Sequence, residues 1–222
     1  MAEIVLFHSV LGLRAGVRAA ARRLEEAGHT VHIPNLYDVG KIFREYQPAQ
    51  AYADSIGLEN LIKRAQSLVA KLPSKIVYAG FSNGGGLAEY LALTRRGALG
   101  ALLFHAALPV EMLSPLAARP IKKWPAAVPV QVHYAKKDPF RSPGWTESLA
   151  ASVSQAGASY KLYEYPVDTH LFSDESQPAE YNAEAAELMW KRVFSFLKAI
   201  DAPPLKMRHA LPIGGEQTRF VK

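Results

Sequence analysis

No cysteine occurs in the 222 residues of this chain. Its absence removes disulfide frameworks, thiolate metal sites and a thiol nucleophile. The residues Met-Ala-Glu-Ile-Val-Leu-Phe-His at the start lack the basic segment of a secretory signal, and their apolar run is only strand-sized. No hydrophobic stretch approaches the ~20 residues that span a bilayer. A cytoplasmic protein with no membrane partner is therefore expected. Neither Gly-Lys-Ser, Gly-Lys-Thr nor Gly-x-Gly-x-x-Gly is present, which speaks against phosphate-cradling and dinucleotide-binding loops. The formal charge of +6 comes from 26 Lys and Arg against 20 Asp and Glu, interspersed along the chain. Its one modest concentration is Lys206, Arg208, Arg219 and Lys222. A folded nucleic-acid binder shows a basic stripe or interleaved aromatics; with neither, no nucleic-acid partner is expected.

What is present reads as one domain. A hydrophobic content of 49% over this length supplies one sizeable core and is short for two, so residues 1–200 form the domain and 201–222 an extended tail. Strand signals at Glu3–His8, Thr30–Ile33, Ile76–Ala79, Leu99–His105, Val128–Tyr134 and Ser159–Glu164 alternate with helical stretches at Arg14–Ala27, Ser55–Lys71, Leu87–Thr94, Gly144–Gln155 and Ala179–Ile200. The alternation predicts a three-layer αβα architecture around a mostly parallel sheet of about six to seven strands. In such sheets, ligand sites gather beyond the carboxyl ends of the strands. Between Pro34 and Ala53 the breakers Pro34, Gly40 and Pro48 predict irregular chain with Tyr37, Phe43 and Tyr46 exposed; residues 36–55 are a candidate lid. Pro109 to Pro125 reads as a second loop.

The chemistry concentrates at Ala-Gly-Phe-Ser-Asn-Gly-Gly-Gly, residues 79–86. A Gly-x-Ser-x-Gly between a short buried strand and a helix is the sequence form of a nucleophile elbow, which exposes the serine on a sharp turn. A chance glycine turn and an anion-binding helix start are its rivals, and the strand before and helix after Ser82 favour the elbow. Each glycine in a helix costs about 0.8–1.0 kcal/mol relative to alanine, so Gly84, Gly85 and Gly86 in succession indicate that bulk is excluded there.

A serine hydroxyl needs a base, and the base needs an orienting group. Of the seven histidines, His170 lies beyond a strand's carboxyl end and is the candidate base. His32 and His133 fall within strands and read as structural, His29 as exposed, and His209 lies in the tail. His8 and His105 end strands and are candidate pocket residues. Asp138 taken alone reads as the start of an Asp-Pro turn. The order Ser82, Asp138, His170, each from a separate post-strand loop, makes it the candidate acid. Asp168 is a rival too close in sequence to His170 to reach its far nitrogen. Asp168 with His170, or His29 with His32, lacks the third ligand a metal site needs, so no metal is expected. For the oxyanion, the candidate backbone donors are the N–H groups of Asn83, after the nucleophile, and Val10, after the first strand.

These landmarks, with Phe-His-Ser-Val-Leu-Gly-Leu at 7–13, Ile-Pro-Asn-Leu-Tyr-Asp at 33–38, Lys-Asp-Pro-Phe at 137–140, Thr-His-Leu-Phe at 169–172 and Tyr-Asn-Ala-Glu-Ala-Ala-Glu-Leu at 181–188, resemble the dienelactone hydrolase family of α/β-hydrolases up to about Ile200. The resemblance implies a compact hydrolase with Ser82 as nucleophile, Asp138 as acid and His170 as base. Members that open dienelactones carry a cysteine nucleophile and a glutamate in the loop after the first strand, where this chain has Ser82 and Ser9. They also hold the substrate carboxylate with arginines; here Asp174 stands one turn beyond His170, and Arg14 and Arg141 are the candidate substitutes. Candidate substrate contacts are His8, Ser9, Leu11, Tyr37, His105 and Phe140. The expectation is a serine hydrolase of a small ester, thioester or lactone acting through an acyl-enzyme. It would need no cofactor and be a monomer or weak homodimer. A fold relative that binds a small molecule or protein without catalysis is the alternative, and acyl transfer to an acceptor other than water a third reading.

Overall fold

Local sequence preference becomes architecture through the winding of the sheet. The computed structural model describes residues 1–121 and 123–201; the tail expected at 201–222 lies outside them but for Asp201. The elements run β1 (Glu3–Phe7), α1 (Ala15–Glu26), β2 (Thr30–His32), α2 (Tyr46–Ile56), α3 (Leu58–Val69), β3 (Ile76–Phe81), α4 (Asn83–Thr94), β4 (Ala98–Phe104), α5 (Val110–Leu113), β5 (Val130–Ala135), α6 (Trp145–Gln155), β6 (Tyr160–Tyr165) and α7 (Ala183–Asp201). A short 3-10 turn, Ser114–Leu116, extends α5. The six strands form one parallel sheet in the order β2-β1-β3-β4-β5-β6. It is the sheet of an α/β-hydrolase fold.

Parallel strands need right-handed crossovers, and here the order reverses between β1 and β3, paired from Ile4↔Val77 to Phe7↔Gly80. The crossover through α1 therefore lies on the opposite face from the one through α4. Loops leaving β1 and β3 diverge at their carboxyl ends and open a crevice. Burial follows the same geometry. β3 and β5 are buried throughout, as expected for strands covered on both faces, whereas the edge strands β2 and β6 are mixed. On α7, Phe196 and Ile200 pack so closely on β4 that a Cβ at Gly100 would come within 2.7 Å of Ile200. No helix among the described residues is long and apolar enough to cross a membrane.

The largest departure from expectation is the segment after β2. Residues 46–56 form a helix despite Pro48, which sits in its first turn, where the N–H has no intrahelical partner to lose. Gly57, at φ 83°, separates α2 from α3, so the helix expected at Ser55–Lys71 is α3 and begins at Leu58, and α2 is a further helix where irregular chain was expected. Tyr37 is buried, and Phe43 and Tyr46 are half-buried. Their rings belong to edge-to-face clusters, Tyr37 with His8, Phe43 and Tyr52, and Tyr46 with Phe140 and His170. Aromatics isolated among polar residues looked exposed in one dimension because their partners are distant in sequence.

Candidate active site

Ser82 follows β3 and caps α4 with φ 51° and ψ −120°, a left-handed conformation that side chains rarely adopt. Space explains the glycines around it. A Cβ on Gly80 would stand 2.1 Å from the Gly84 carbonyl oxygen, and one on Gly84 would stand 2.4 Å from that of His8. One on Gly85 would meet the Ala106 Cβ at 2.6 Å. Without them α4 could not lie so close to the ends of β1, β3 and β4.

The Ser82 hydroxyl donates to His170 Nε2 at 2.8 Å. On the far side of the ring, Nδ1–H donates to Asp138, 2.8 Å from Oδ2 and 2.9 Å from Oδ1. All three residues come from loops beyond strand carboxyl ends. The Asp138 and His170 loops are joined by Lys136 N–H to the Tyr165 carbonyl and Lys137 N–H to that of Val167. Asp138 Oδ1 also accepts the Phe140 N–H at 2.8 Å, so the Asp-Pro turn and the histidine contact share one carboxylate. Asp168 is exposed.

Val10 and Asn83 line one pocket with Ser82 and His170. Asn83 is the first residue of α4, where an N–H is free by helix geometry and the helix dipole favours negative charge. Among the described residues, neither its N–H nor that of Val10 has a hydrogen-bond partner. The Val10 loop is braced by the Tyr37 hydroxyl on the Val10 carbonyl at 2.8 Å and by Phe43 N–H on the Leu11 carbonyl at 2.9 Å.

Of the candidate contacts, His105 and Phe140 line the pockets beside Ser82; the other four stand elsewhere. His8 spends both ring nitrogens on backbone, Nδ1–H donating to the Ser9 carbonyl and Nε2 accepting Leu36 N–H. Burial lowers its pKa to about 4. Ser9 Oγ accepts Leu11 N–H, Leu11 is core, and Tyr37 supports Val10 from behind. His133 is hydrogen-bonded to Tyr165 and Gln131, and His32 to Glu3. His29, expected exposed, has a largely covered side chain whose Nδ1 accepts Ala2 N–H.

The sequence reading passed over two residues. Glu180 accepts the Leu171 N–H at 2.7 Å and the Tyr46 hydroxyl at 2.7 Å, while its carbonyl accepts the Thr169 hydroxyl at 2.7 Å. It thereby grips both neighbours of His170. No motif marks it, since it lies within the same β6–α7 connection as Thr169 and Leu171 and its other partner, Tyr46, is on α2, 134 residues away. Glu89, fully buried in α4, accepts the Leu108 N–H at 3.0 Å, and burial drives its pKa well above the usual carboxyl range.

A parallel sheet with a strained serine at its topological crevice, hydrogen-bonded to a histidine that an aspartate holds from the far side, both from later loops, defines an α/β-hydrolase. Residues 1–201 match the profile of the dienelactone hydrolase family, and the chain belongs to that family of hydrolases. The Saccharolobus solfataricus protein named "Putative carboxymethylenebutenolidase" is 27% identical, over 89% of each chain. A dienelactone hydrolase-like promiscuous phosphotriesterase from metagenomic libraries shares the fold at TM-score 0.71 and 19% identity, with 90% of this chain and 87% of its own covered. So does a thermophilic esterase of the Planctomycetes species Thermogutta terrifontis in a propionate-bound structure, at TM-score 0.58 and 17% identity, with 90% and 84% covered.

Proposed function

We propose that this chain is a serine hydrolase that cleaves a small ester, thioester or lactone through an acyl-enzyme at Ser82. The observation that carries the reading is the unbroken hydrogen-bonded line from Ser82 Oγ through His170 to Asp138, set on the elbow that presents Oγ to the pockets. In the first step Ser82 Oγ adds to the carbonyl carbon as its proton passes to His170 Nε2. Asp138 holds the imidazole so that Nε2 is the free acceptor, and it stabilises the imidazolium that forms. The oxyanion takes hydrogen bonds from the Asn83 and Val10 N–H groups. Donors of this kind contribute about 2.7–4 kcal/mol each. As the carbonyl carbon's bond to the leaving oxygen or sulfur breaks, His170 returns the proton to it. Water, deprotonated by the same nitrogen, then attacks the acyl-enzyme, and as the bond from the acyl carbon to Ser82 Oγ breaks, His170 passes that proton to Oγ and the free acid leaves. Every step uses groups of the chain itself, and the reading calls for no cofactor.

The test is covalent labelling with a fluorophosphonate followed by mass measurement of the intact protein. One stoichiometric adduct at Ser82, lost in His170→Ala, is expected, together with p-nitrophenyl ester hydrolysis whose kcat falls on the order of 10⁴-fold or more in Ser82→Ala. Ester hydrolysis that survives the substitution would refute the assignment. A native protein that neither labels nor hydrolyses favours the non-catalytic binder instead.

A further inference from the structure

Two pockets meet at Ser82, Asn83, Phe140 and His170. The smaller, about 240 Å³, is walled by Leu58 and Ile62 of α3, Leu87 and Tyr90 of α4, and Leu113 and Leu116 of the α5 segment. His105 is its one other ring of basic type, its pKa held well below 6.5 by burial and then by the neighbouring His170 and His133. The mouth is apolar too, since Leu58 and Phe140 are 55% and 56% exposed, and large apolar side chains left open at a pocket mark a place for an apolar ligand. The second pocket, about 570 Å³, is lined on its α2 side by Gln47, Gln50 and Asp54, so its one full charge there is negative.

Among the described residues no lysine or arginine lines either pocket. The two arginines offered as substitutes for a carboxylate clamp are engaged elsewhere. Arg14 donates to the carbonyl and hydroxyl of Ser176. Arg141 binds Glu164 and Thr146, with its guanidinium 5.1 Å from the centre of the Tyr134 ring. An anionic group entering the small pocket would lose its water and find no counter-charge. In the larger one it would meet Asp54.

We infer that the substrates are neutral esters whose short apolar acyl chain occupies the small pocket, and that a carboxylate on that chain is rejected. The inference rests on the serine-hydrolase reading above. The acyl group belongs in the small pocket because it stays attached to Ser82 while water attacks. The alcohol must leave and water must enter, and the larger pocket, bordered on its α2 side by Gln47, Gln50 and Asp54, suits that traffic. The small pocket lies below the roughly 300–1,000 Å³ of sites for drug-sized ligands, which confines the chain to a few carbons.

The experiment compares p-nitrophenyl hexanoate with the mono-p-nitrophenyl ester of adipic acid and the methyl ester of that half-ester. The last two match closely in length and differ in charge. The expected result is a kcat/KM for the carboxylate at least 100-fold below that of its methyl ester, and a rate that rises from acetate to hexanoate. In Leu58→Arg the carboxylate-to-methyl ester ratio should rise at least tenfold. Equal rates for the charged and neutral pair in the unsubstituted protein would overturn the inference. Indifference to acyl length, with sensitivity to the alcohol, would overturn the acyl assignment. If no ester is hydrolysed and no fluorophosphonate adduct forms, it is the serine-hydrolase reading that fails.

Discussion

At the scale of single residues, Asp138 is the most informative, because one carboxylate serves a local turn and a distant ring. Asp138→Asn keeps the shape and the turn acceptor but sets an amide against Nδ1–H, which favours the wrong imidazole tautomer. A kcat loss of about 10⁴-fold is expected, with a circular dichroism spectrum like that of the unsubstituted protein. The glycines make a stability prediction that needs no chemistry. Gly80→Ala drives a methyl into the Gly84 backbone, and overpacking against groups that cannot yield costs about 3 kcal/mol or more. Gly86 differs, because its added Cβ would meet only the tip of Leu108 at 2.9 Å. There the gain in helix propensity, about 0.8–1.0 kcal/mol, offsets the crowding, and Gly86→Ala should stay within about 1 kcal/mol of the parent. Urea unfolding of the two variants side by side measures both.

Among the elements, the loop carrying His170 depends on α2 more than its sequence suggests. Glu180 fixes the residues on either side of the histidine, and its carboxylate reaches Tyr46, whose ring lies 5.9 Å from the imidazole. Glu180→Ala should lower kcat by roughly 10–100-fold, the scale at which misplacement of a reacting group is felt, and slow fluorophosphonate labelling in proportion. Glu180→Gln should recover most of the rate, since its amide oxygen can accept from Leu171 while its nitrogen donates to the Tyr46 oxygen. A Gln variant as slow as the Ala variant would show that the contact does not work through these hydrogen bonds. The pair also separates reading from folding. The strands and the longer helices α1, α3, α4, α6 and α7 announced themselves by apolar periodicity, whereas α2 and α5 arose in stretches expected to be irregular, and Glu180 and Tyr46 gain meaning from each other, 134 residues apart.

For the whole molecule, buried titratable groups set how stability varies with pH. Burial lowers the His8 pKa to about 4 and that of His133 to about 3, and it drives His105 well below 6.5. Below pH 6.5 the unfolded chain takes up these protons while the native rings stay neutral, so stability falls as the pH drops through the window. At about 1.4 kcal/mol per unit, His8 alone accounts for on the order of 3 kcal/mol by pH 4. Glu89 acts in the opposite sense. Its native carboxyl holds a proton that the unfolded chain releases above pH 4.5, and stability declines as the pH rises. Three rings against one carboxyl place the maximum from these groups near pH 6.5. Urea midpoints measured from pH 3 to 9 check the shape, and Glu89→Gln should gain on the parent steadily as the pH is raised.

The sequence alone determined the alternation of strand and helix, the strained serine between glycines, and the residue types that would answer it from later loops. Those features are written in windows of ten residues or so, where backbone preference and apolar spacing act locally. Tertiary structure decided the strand order that opens the crevice between β1 and β3, and the burial of Tyr37 behind Val10. It also decided the diversion of Arg14 and Arg141 to Ser176 and Glu164, which leaves the pocket linings without a cation among the described residues. Each is a pairing between groups tens of residues apart, made by packing the whole core and invisible to any local pattern.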